Sequence, residues 1–299
     1  MAKEMSWELY RTFLGVLREG SLSGASRALG LTQPTVGRHI AELEETLGVP
    51  LFTRSQMGLL PTEAAIALRG HAEDMSNTAA SFLRAAEGHG DGIHGTVCIS
   101  ASEVVGAETL PPILAGLAQR HPTLRIELVL TNRVQDLLRR EADIAIRMLE
   151  PKQSALIARR VADVVVGLHA HESYLARRGV PTKLADLDQH VLIGYDEETA
   201  FIRAAVRDIP WWRRESFSFR VDNDLAQLAL IRAGCGIGGC QVGIAKRDGL
   251  VRVLPKLMEM KLGTWITMHE DLRGSARCKV VFDTLATALS RSDKHRPGK

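Results

Sequence analysis

The sequence lacks any apolar stretch long enough to cross a membrane. Its longest uncharged runs are short or interrupted, as in residues 161–171, where Asp163 breaks the run. A spanning helix needs about 20 consecutive apolar residues. The first ten residues, MAKEMSWELY, also lack the apolar segment of a secretory signal. We therefore expect a protein that has no membrane partner and stays in the cytoplasm.

Cysteine is scarce, and no metal-binding spacing is present. The four cysteines and ten histidines form no cluster that would suit zinc. The cysteines are Cys98, Cys235, Cys240 and Cys278. Without an export signal we expect reduced thiols, and we expect no metal or other cofactor. Cys235 and Cys240 lie close in sequence, so a thiol switch is one interpretation and buried, inert thiols are the other.

The common catalytic motifs are also missing. There is no G-x-S-x-G nucleophile turn and no phosphate-binding P-loop. Residues 234–239 (GCGIGG) do match G-x-G-x-x-G, but a dinucleotide-binding turn needs a strand before it and a helix after it. The preceding segment, DLAQLALIRA, has a helical pattern. We therefore interpret these glycines as a turn that ends a helix, and we expect no enzyme.

The excess of positive charge is small. The chain has 38 Lys and Arg against 35 Asp and Glu, a net charge of +3, and residues 1–60 contain six of each sign. If this segment binds DNA, it does so without a large basic field, and the non-specific part of the affinity should be weak.

The amino-acid composition is that of an ordinary globular protein. Hydrophobic residues make up 45% and charged residues 24% of the chain, which excludes a disordered chain. A length of 299 residues suggests about two folding units.

The first sixty residues have the pattern of three helices. Residues 7–19 carry one apolar stripe at helical spacing. Ser23 is a candidate N-cap for a second helix that Gly30 ends, and Thr32 is a candidate N-cap for a third that runs to about Leu47. The inward positions of this third helix are Val36, Ile40, Leu43 and Leu47, and the outward ones are Gln33, Thr35, Arg38, His39 and Glu42.

A polar outer face on the second of two closely joined helices is typical of a helix-turn-helix. A helical hairpin inside a larger core is the alternative. Residues 51–54 and 59–61 have the pattern of short strands around a turn at 56–58, and this favours the winged variant of the motif.

Here the sequence resembles the LysR-type transcriptional regulators, over about fifty residues without a gap and more weakly to the C-terminus. The residues that carry the resemblance are Phe13, residues 23–31 (SGASRALGL), residues 32–36 (TQPTV), Arg38, Ile40, residues 43–45 (LEE), residues 47–52 (LGVPLF), Arg54 and residues 60–64 (LPTEA). Two positions depart from the family pattern. Gly37 replaces a small hydroxylic residue, and Gln56-Met57 stands where an arginine is common, so two phosphate contacts are lost.

The resemblance implies a winged helix-turn-helix DNA-binding domain over residues 1–61. The residues expected to contact DNA are Thr32, Gln33, Pro34, Thr35, Arg38, His39 and Arg54. An amide can bind adenine through two hydrogen bonds, an arginine can bind guanine or a phosphate, and a threonine methyl can contact thymine. Arg54 on the wing would hold a phosphate.

Residues 62–90 have the pattern of a long helix and a hinge. Ala65, Ala72, Ala79 and Ala86 share one heptad position, and Leu68, Met75 and Phe82 share the other. A strict seven-residue repeat favours a helix that pairs with a second copy, and the resemblance implies the same. The alternative is an amphipathic helix lying on its own domain. We expect a homo-oligomer, either a dimer or a homotetramer.

From Ile93 onward the pattern alternates between strands and helices, which indicates an α/β fold with parallel strands. The resemblance implies two α/β subdomains like those of periplasmic solute-binding proteins. We place the first at residues 91–163 and 264–299 and the second at residues 164–263, so that the chain crosses near Val161 and returns near Gly263.

The resemblance places a small effector between these two subdomains. Strand ends in the first subdomain supply Ser100, Ser102, Thr131 and Arg147, while Asn223 and Tyr195 would contribute from the second. Hydroxyls and a guanidinium suit a carboxylate or another small anion. Glu103 disturbs this set, because it could pair with Arg147 or favour a ligand with an amine.

The predicted function is sequence-specific transcriptional regulation by a LysR-type protein under the control of a small anionic effector. The expected partners are double-stranded DNA, the effector, a second copy of the chain and RNA polymerase. Two alternatives stay open, a nucleotide-using enzyme and a stand-alone small-molecule binding protein. Trp211-Trp212 could mark an oligomer contact or pack on its own subdomain.

Overall fold

The computed structural model describes residues 6–55, 58–87, 93–132, 142–151 and 155–294. The chain forms two compact units, an N-terminal one up to Ala86 and a second from Glu87 onward. Residues 88–90, the end of the predicted helix and hinge, and residues 56–57 of the predicted wing turn lie outside the described residues. In the described residues no helix is both long and apolar enough to span a membrane.

Three helices and a two-stranded wing form the N-terminal unit. The helices are α1 (Trp7–Glu19), α2 (Leu22–Leu29) and α3 (Gln33–Leu47), and the strands are β1 (Phe52–Ser55) and β2 (Gly58–Pro61). The two strands pair antiparallel. A fourth helix, α4 (Glu63–Glu87), follows the wing. This arrangement confirms the predicted winged helix-turn-helix.

Side-chain caps explain where α2 and α3 begin. Thr32 caps α3 as predicted, since its hydroxyl accepts from the Thr35 amide at 3.3 Å. The predicted cap of α2 is wrong. Ser21 takes that place and accepts from the Gly24 amide at 3.0 Å. The reason is that Gly20 ends α1 in a left-handed conformation at φ 63°, so Ser21 is the first residue that is free to start the next helix.

The core of the N-terminal unit follows the predicted apolar stripes. Its fully buried side chains include Phe13, Leu43 and Leu51, and Val36 is completely enclosed. Glu44 adds a polar anchor, because its carboxylate accepts from the backbone amides of Leu51 at 2.6 Å and of Phe52 at 3.1 Å. This carboxylate therefore fastens the start of the wing to α3.

The first half of α4 packs its heptad residues into the core of its own unit. Ala65 and Ala72 are buried in the N-terminal core and are 0% and 4% exposed. The alternative interpretation, a helix lying on its own domain, is therefore right for these two turns. Farther along, Phe82 and Leu83 are 74% and 64% exposed, so the distal half of α4 presents an uncovered apolar surface.

The second unit is built on one mixed sheet with helices on both faces. Its strands are β3 (Gly95–Ala101), β4 (Leu124–Leu130), β5 (Ile144–Arg147), β6 (Leu156–Ala170), β7 (Leu192–Tyr195), β8 (Phe219–Val221), β9 (Ile237–Gln241), β10 (Val251–Arg252) and β11 (Glu259–His269). Its α-helices are α5 (Leu110–Arg120), α6 (Glu172–Arg178), α7 (Ala200–Ala205), α8 (Asp224–Arg232), α9 (Val242–Arg247) and α10 (Ala276–Lys294). Within the described residues the strand order is β4-β3-β5-β11-β6-β9-β7-β8, with β10 beside β6.

The expectation of parallel strands is only partly right. Strand β3 runs parallel to β4 and β5, and β7 runs parallel to β8 and β9. The central strands β6 and β11 pair antiparallel with each other and with β9 and β5. The cause is the connection between the two halves. The chain goes out on one long strand and returns on the other, and two such strands side by side must run in opposite directions.

Strands β6 and β11 connect two hydrophobic cores. The first core contains Val161 of β6 and Ile266 of β11, and the second contains Leu168 of β6 with Met260 of β11 packed against it. The pairing between the two strands shifts by one residue between Thr264 and Trp265, opposite Val161. Such a bulge bends and twists a strand pair locally. The crossings near Val161 and Gly263 stay a prediction, and the bulge lies beside both positions.

Gly194 in β7 shows how tightly the second core is packed. A Cβ atom at this position would lie 2.4 Å from the Phe217 ring. Gly116 in α5 is the opposite case, because a Cβ atom there would have no neighbour within 4 Å.

We expect Gly194→Ala to lower the free energy of unfolding of the second unit by about 1–3 kcal/mol, since the added methyl overpacks the core. Gly116→Ala should leave it unchanged or raise it by up to about 1 kcal/mol, because alanine favours a helix. Chemical denaturation followed by tryptophan fluorescence measures both. Equal effects of the two substitutions would contradict the packing argument.

Candidate DNA-binding face and effector cleft

The start of α3 presents a polar surface to solvent. Thr32, Gln33, Pro34 and Arg38 are exposed. Thr35 is half-buried and shares a hydrogen bond of 2.8 Å with the Thr32 hydroxyl. The first turn of the helix is thus held by its own side chains.

Three side chains of this surface are available to a ligand. In the described part of the chain, Gln33, Arg38 and Arg54 have no side-chain hydrogen bond or ion pair. Arg54 lies on β1 of the wing and is exposed. Amide and guanidinium groups without internal partners, on an exposed helix start and on the adjacent wing, are what base and phosphate contacts require.

His39 does not project outward as expected. Its Nδ1 atom forms a hydrogen bond of 2.9 Å with the hydroxyl of Thr12, which is completely buried in α1. Position 39 lies beside the buried residues Val36, Ile40 and Leu43 on the helix, at the edge of the apolar stripe. His39 therefore joins α3 to α1, and its role is to position the helix.

In the second unit, Arg147 lies where the ends of β3 and β5 meet. Its guanidinium donates to the Ser100 hydroxyl at 2.6 Å and to the Ile146 carbonyl at 2.9 Å. Ser100 is fully buried. The hydrogen bonds fix the direction of the guanidinium, so two of the predicted effector residues are brought together.

Ser102 and Thr131 complete this group of strand ends. The Ser102 amide donates to the Ile146 carbonyl at 3.3 Å, and the Thr131 amide donates to the Ala101 carbonyl at 2.9 Å. The Ser102 hydroxyl oxygen is buried, with no hydrogen-bond partner in the parts of the chain that the structure describes. A buried hydroxyl of this kind costs free energy until a partner reaches it.

Asn223 faces Glu103 and not an open cleft. Its Oδ1 atom caps α8 by accepting from Leu225 and Ala226 at 3.0 Å. Its Nδ2 atom donates to Glu103 at 2.9 Å, and the same carboxylate oxygen accepts from the Asp224 amide at 3.2 Å. Glu103 therefore occupies the start of α8, where we expected a donor to a ligand.

Asn132 extends this contact between the two halves of the sheet. It accepts from the Glu103 amide at 3.2 Å and donates to the Asp224 carboxylate at 2.8 Å. Burial raises the pKa of Glu103, and the nearby Asp224 charge raises it further. Burial also raises the pKa of Asp224. Glu103 and Asp224 therefore form an acidic corner beside the start of α8. The guanidinium of Arg147 lies at the ends of β3 and β5, where it is bonded to Ser100.

A second polar contact across the two halves was not foreseen. Arg232 at the end of α8 binds both carboxylate oxygens of Glu108, at 2.8 and 2.9 Å, and also Asp248 at 2.6 Å. Arg247 bonds the same two acids. The arginines hold the pKa values of Glu108 and Asp248 below their ordinary range. No sequence signal connects residues so far apart.

Tyr195 does not offer its hydroxyl to the cleft, because it donates to the Trp212 carbonyl at 3.0 Å. Its ring meets Phe217 edge-on at 5.0 Å. Trp212 is 4% exposed, and Trp211 packs against the same core. The interpretation in which the two tryptophans pack on their own subdomain is therefore right.

The glycine-rich segment is a helix-ending turn, as predicted. Helix α8 precedes it, Gly234 has φ 70°, and β9 follows, so the order is the reverse of a dinucleotide-binding turn. Cys240 is buried, and burial raises the pKa of its thiol to about 12. A thiol that stays protonated is unreactive, which favours the inert interpretation. No group of metal-binding side chains occurs in the described ranges.

The comparisons with known proteins agree with this architecture. Residues 7–66 match the family model described as "Bacterial regulatory helix-turn-helix protein, lysR family". Residues 90–290 match "LysR substrate binding domain".

Individual relatives cover most of the chain. The HTH-type transcriptional regulator CrgA of Neisseria meningitidis serogroup B is 30% identical over 232 residues, which are 75% of this chain and 76% of CrgA. The solved structure of CrgA from Neisseria meningitidis has a TM-score of 0.59 at 26% identity and covers 96% of this chain and 99% of its own. Full-length CbnR in complex with its target DNA has a TM-score of 0.62 at 20% identity, with 96% and 100% covered, and shows the fold alone.

The acidic corner leads to a prediction for Glu103→Gln. When the pKa of a carboxyl is raised by folding, the group favours the folded state at pH values below its ordinary pKa, which is 4.5 for Glu103. This contribution to stability is lost as the pH rises through the raised pKa of the folded state. At neutral pH the ionised Glu103 therefore costs stability that glutamine does not cost. We expect the melting temperature of the variant to exceed that of the parent at neutral pH, and the difference to vanish toward pH 4.5.

Glu259→Gln is the matched control, because Arg252 holds the pKa of Glu259 below its ordinary range. This substitution should leave the melting temperature unchanged or lower it at neutral pH. A pH-independent effect of Glu103→Gln, or a lower melting temperature at neutral pH, would argue against the acidic corner.

Proposed function

Because this chain belongs to the LysR family of bacterial transcriptional regulators, we propose that it binds specific DNA sequences through α3 and the wing. The observation that supports this most directly is the exposed start of α3, where Gln33 and Arg38 have no partner within the described residues. A helix start that enters the major groove places such side chains on base edges.

The individual roles follow from the geometry. Gln33, Thr35 and Arg38 contact bases, while Thr32 and Pro34 bring the first turn of α3 close to the phosphate backbone. Arg54 on the wing holds a phosphate. His39 acts indirectly, because its bond to Thr12 sets the angle of α3 on α1.

The regulator works as a homo-oligomer, a dimer or a tetramer, through α4. The proposal is supported by the exposed apolar residues of its distal half, Met75, Phe82 and Leu83. The proximal alanines Ala65 and Ala72 are already buried in their own unit, so the pairing surface is shorter than the heptad pattern implies. Two paired heads would reach half-sites about one helical turn apart on DNA.

The second unit binds a small effector between its two halves, residues 91–163 with 264–299 and residues 164–263. The effector carries a negative charge toward Arg147 and Ser100 and can satisfy the buried hydroxyl of Ser102. Glu103 already fills the start of α8, so an anion would be held from the side of Arg147. Binding that favours one arrangement of the halves over another shifts their populations by the difference in affinity.

The remaining expectations belong to this proposal. The protein acts in the cytoplasm without a cofactor, and it has no catalytic activity. It affects transcription together with RNA polymerase.

A double substitution, Gln33→Ala with Arg38→Ala, tests the DNA-binding face. We expect the affinity for a specific operator to fall at least about tenfold, since each two-point base contact is worth about 1–3 kcal/mol. Gel-shift titration at moderate salt measures this, with operator fragments selected from random DNA by the parent protein.

Arg11→Gln is the matched control, because Arg11 is an exposed arginine of the same unit that already pairs with Glu8. It should bind like the parent. Sedimentation should show the same oligomer for all three proteins. Unchanged operator binding by the double variant would reject the proposed face.

Gly37→Ser tests the departure from the family pattern. A Cβ atom at this position would lie 3.6 Å from Leu22, an ordinary contact, so serine fits. We expect affinity to rise for specific and non-specific DNA alike, with a salt dependence steeper by about one phosphate contact.

Gly70→Ser in α4 is the matched control, since a Cβ atom there meets nothing within 4 Å. Both substitutions favour their helices by a few tenths of a kcal/mol. A gain in DNA affinity for both variants would mean that helix stability, and not a phosphate contact, is the cause.

A further inference from the structure

A cavity of about 590 Å³ lies in the second half of the sheet unit, beside the end of β7. All of its described lining residues fall between positions 195 and 213. It therefore includes none of the strand ends at Ser100, Ser102, Thr131 and Arg147. Of the residues first expected at the effector cleft, Tyr195 lines this cavity, whereas the proposed anion contacts Arg147, Ser100 and Ser102 do not.

The apolar wall of the cavity is continuous with the second core. It is formed mainly by Val206, Ile209 and Trp212. Trp212 is 4% exposed, and its ring packs edge-on against Phe217 at 4.8 Å. The Tyr195 hydroxyl, which donates to the Trp212 carbonyl at 3.0 Å, fixes the adjoining wall. These residues give the cavity an apolar side, of which Trp212 shows only an edge.

The rim of the cavity carries more positive charge than its own acids neutralise. Arg203, Arg207 and Arg213 line it, against the single acid Glu198. Glu198 is already engaged by Arg203, with 3.7 Å between Nε and Oε2 and a second bond from Nη2 to the Glu198 carbonyl at 3.3 Å.

Arg207 and Arg213 are left without such a partner. Neither has a side-chain hydrogen bond or an ion pair in the described parts of the chain. Their neighbour Arg214, which does not line the cavity, is bound to Asp196 at 2.6 Å. Among Arg203, Arg207, Arg213 and Arg214, the two without a partner in the described residues, Arg207 and Arg213, both line the cavity.

We propose that this cavity binds a small hydrophobic carboxylate, with its hydrocarbon part against Trp212 and its charge held by Arg207 and Arg213. The volume lies within the range of about 300–1,000 Å³ that small-molecule sites occupy. Guanidinium groups bind carboxylates through paired hydrogen bonds. An apolar wall with convergent cations selects for an anion that also has an apolar body. A neutral molecule of the same shape gains only the packing.

The proposal does not depend on DNA binding or on the effector cleft. The described lining of this cavity runs from Tyr195, the last residue of β7, to Arg213. The cleft proposal needs Arg147 and Ser100, whereas this site needs Arg207 and Arg213. The two sites can therefore be tested separately in the same protein.

Calorimetric titration of the full-length chain with benzoate tests the site, with benzamide as the neutral molecule of the same shape. We expect benzoate to bind with a dissociation constant below about 10 mM and benzamide to bind at least about tenfold more weakly. Benzoate binding should also change the fluorescence of Trp212, which can be checked by comparison with Trp212→Phe. Equal affinities for benzoate and benzamide would overturn the assignment of the charge.

The double variant Arg207→Gln with Arg213→Gln should lose benzoate affinity by at least about tenfold. Arg214→Gln is the matched control and should bind like the parent, because its guanidinium is already paired with Asp196. Thermal melting verifies that each variant is folded. Unchanged binding by the double variant overturns the inference.

Arg147→Gln separates this site from the cleft. If it abolishes benzoate binding while the double variant keeps it, the ligand lies in the cleft, and the inference fails while the proposed effector site stands. If benzoate and cyclohexanecarboxylate both fail to bind at about 10 mM, the inference is rejected and the effector cleft is unaffected.

Discussion

The antiparallel pairing of β6 and β11 is the constraint on which the second unit depends. Eleven residues of β11 pair with β6, from Glu259 to His269. The chain leaves the first core on one of these strands and returns on the other, so they alone fix how the two halves of the sheet connect. Their direct neighbours β5, β9 and β10 all pair with them antiparallel, and the register of the pair shifts opposite Val161.

Polar contacts supplement this pairing on the side of α8. Glu103 with Asn223 and Glu108 with Arg232 both join the first half of the sheet to the second. Contacts of this kind contribute little net free energy, because desolvation offsets much of their attraction. They are specific in geometry, however. The two halves therefore meet through polar groups of defined geometry, in addition to the two long strands.

Much of the N-terminal unit could be predicted because its rules are local. Thr32, Pro34 and Gly48 mark the ends of α3 through neighbours within a few residues. The cap of α2 was placed two residues late because two serines satisfy the same preference, and only the left-handed Gly20 decides between them. His39 was placed on the wrong face since it lies at the edge of the apolar stripe, and its partner Thr12 is distant in sequence.

The second unit was predictable only in its alternation of strands and helices. The antiparallel direction of the central strands depends on how the chain returns, which no window of sequence contains. Glu108 and Arg232 are separated by 124 positions, and neither has a local sign of its partner. The positive charge of the cavity beside Trp212 could not be predicted either, because it depends on which of several neighbouring arginines pair with an acid.

The Glu44 carboxylate has a consequence for how a signal can act. By accepting from the amides of Leu51 and Phe52, it joins the wing to the recognition helix as one solid piece. If α3 and the wing dock on a duplex as proposed, they do so as one piece whose internal fit is set when the chain folds. Under the proposed function, an effector would therefore act on the spacing of two such pieces and not on the shape of one.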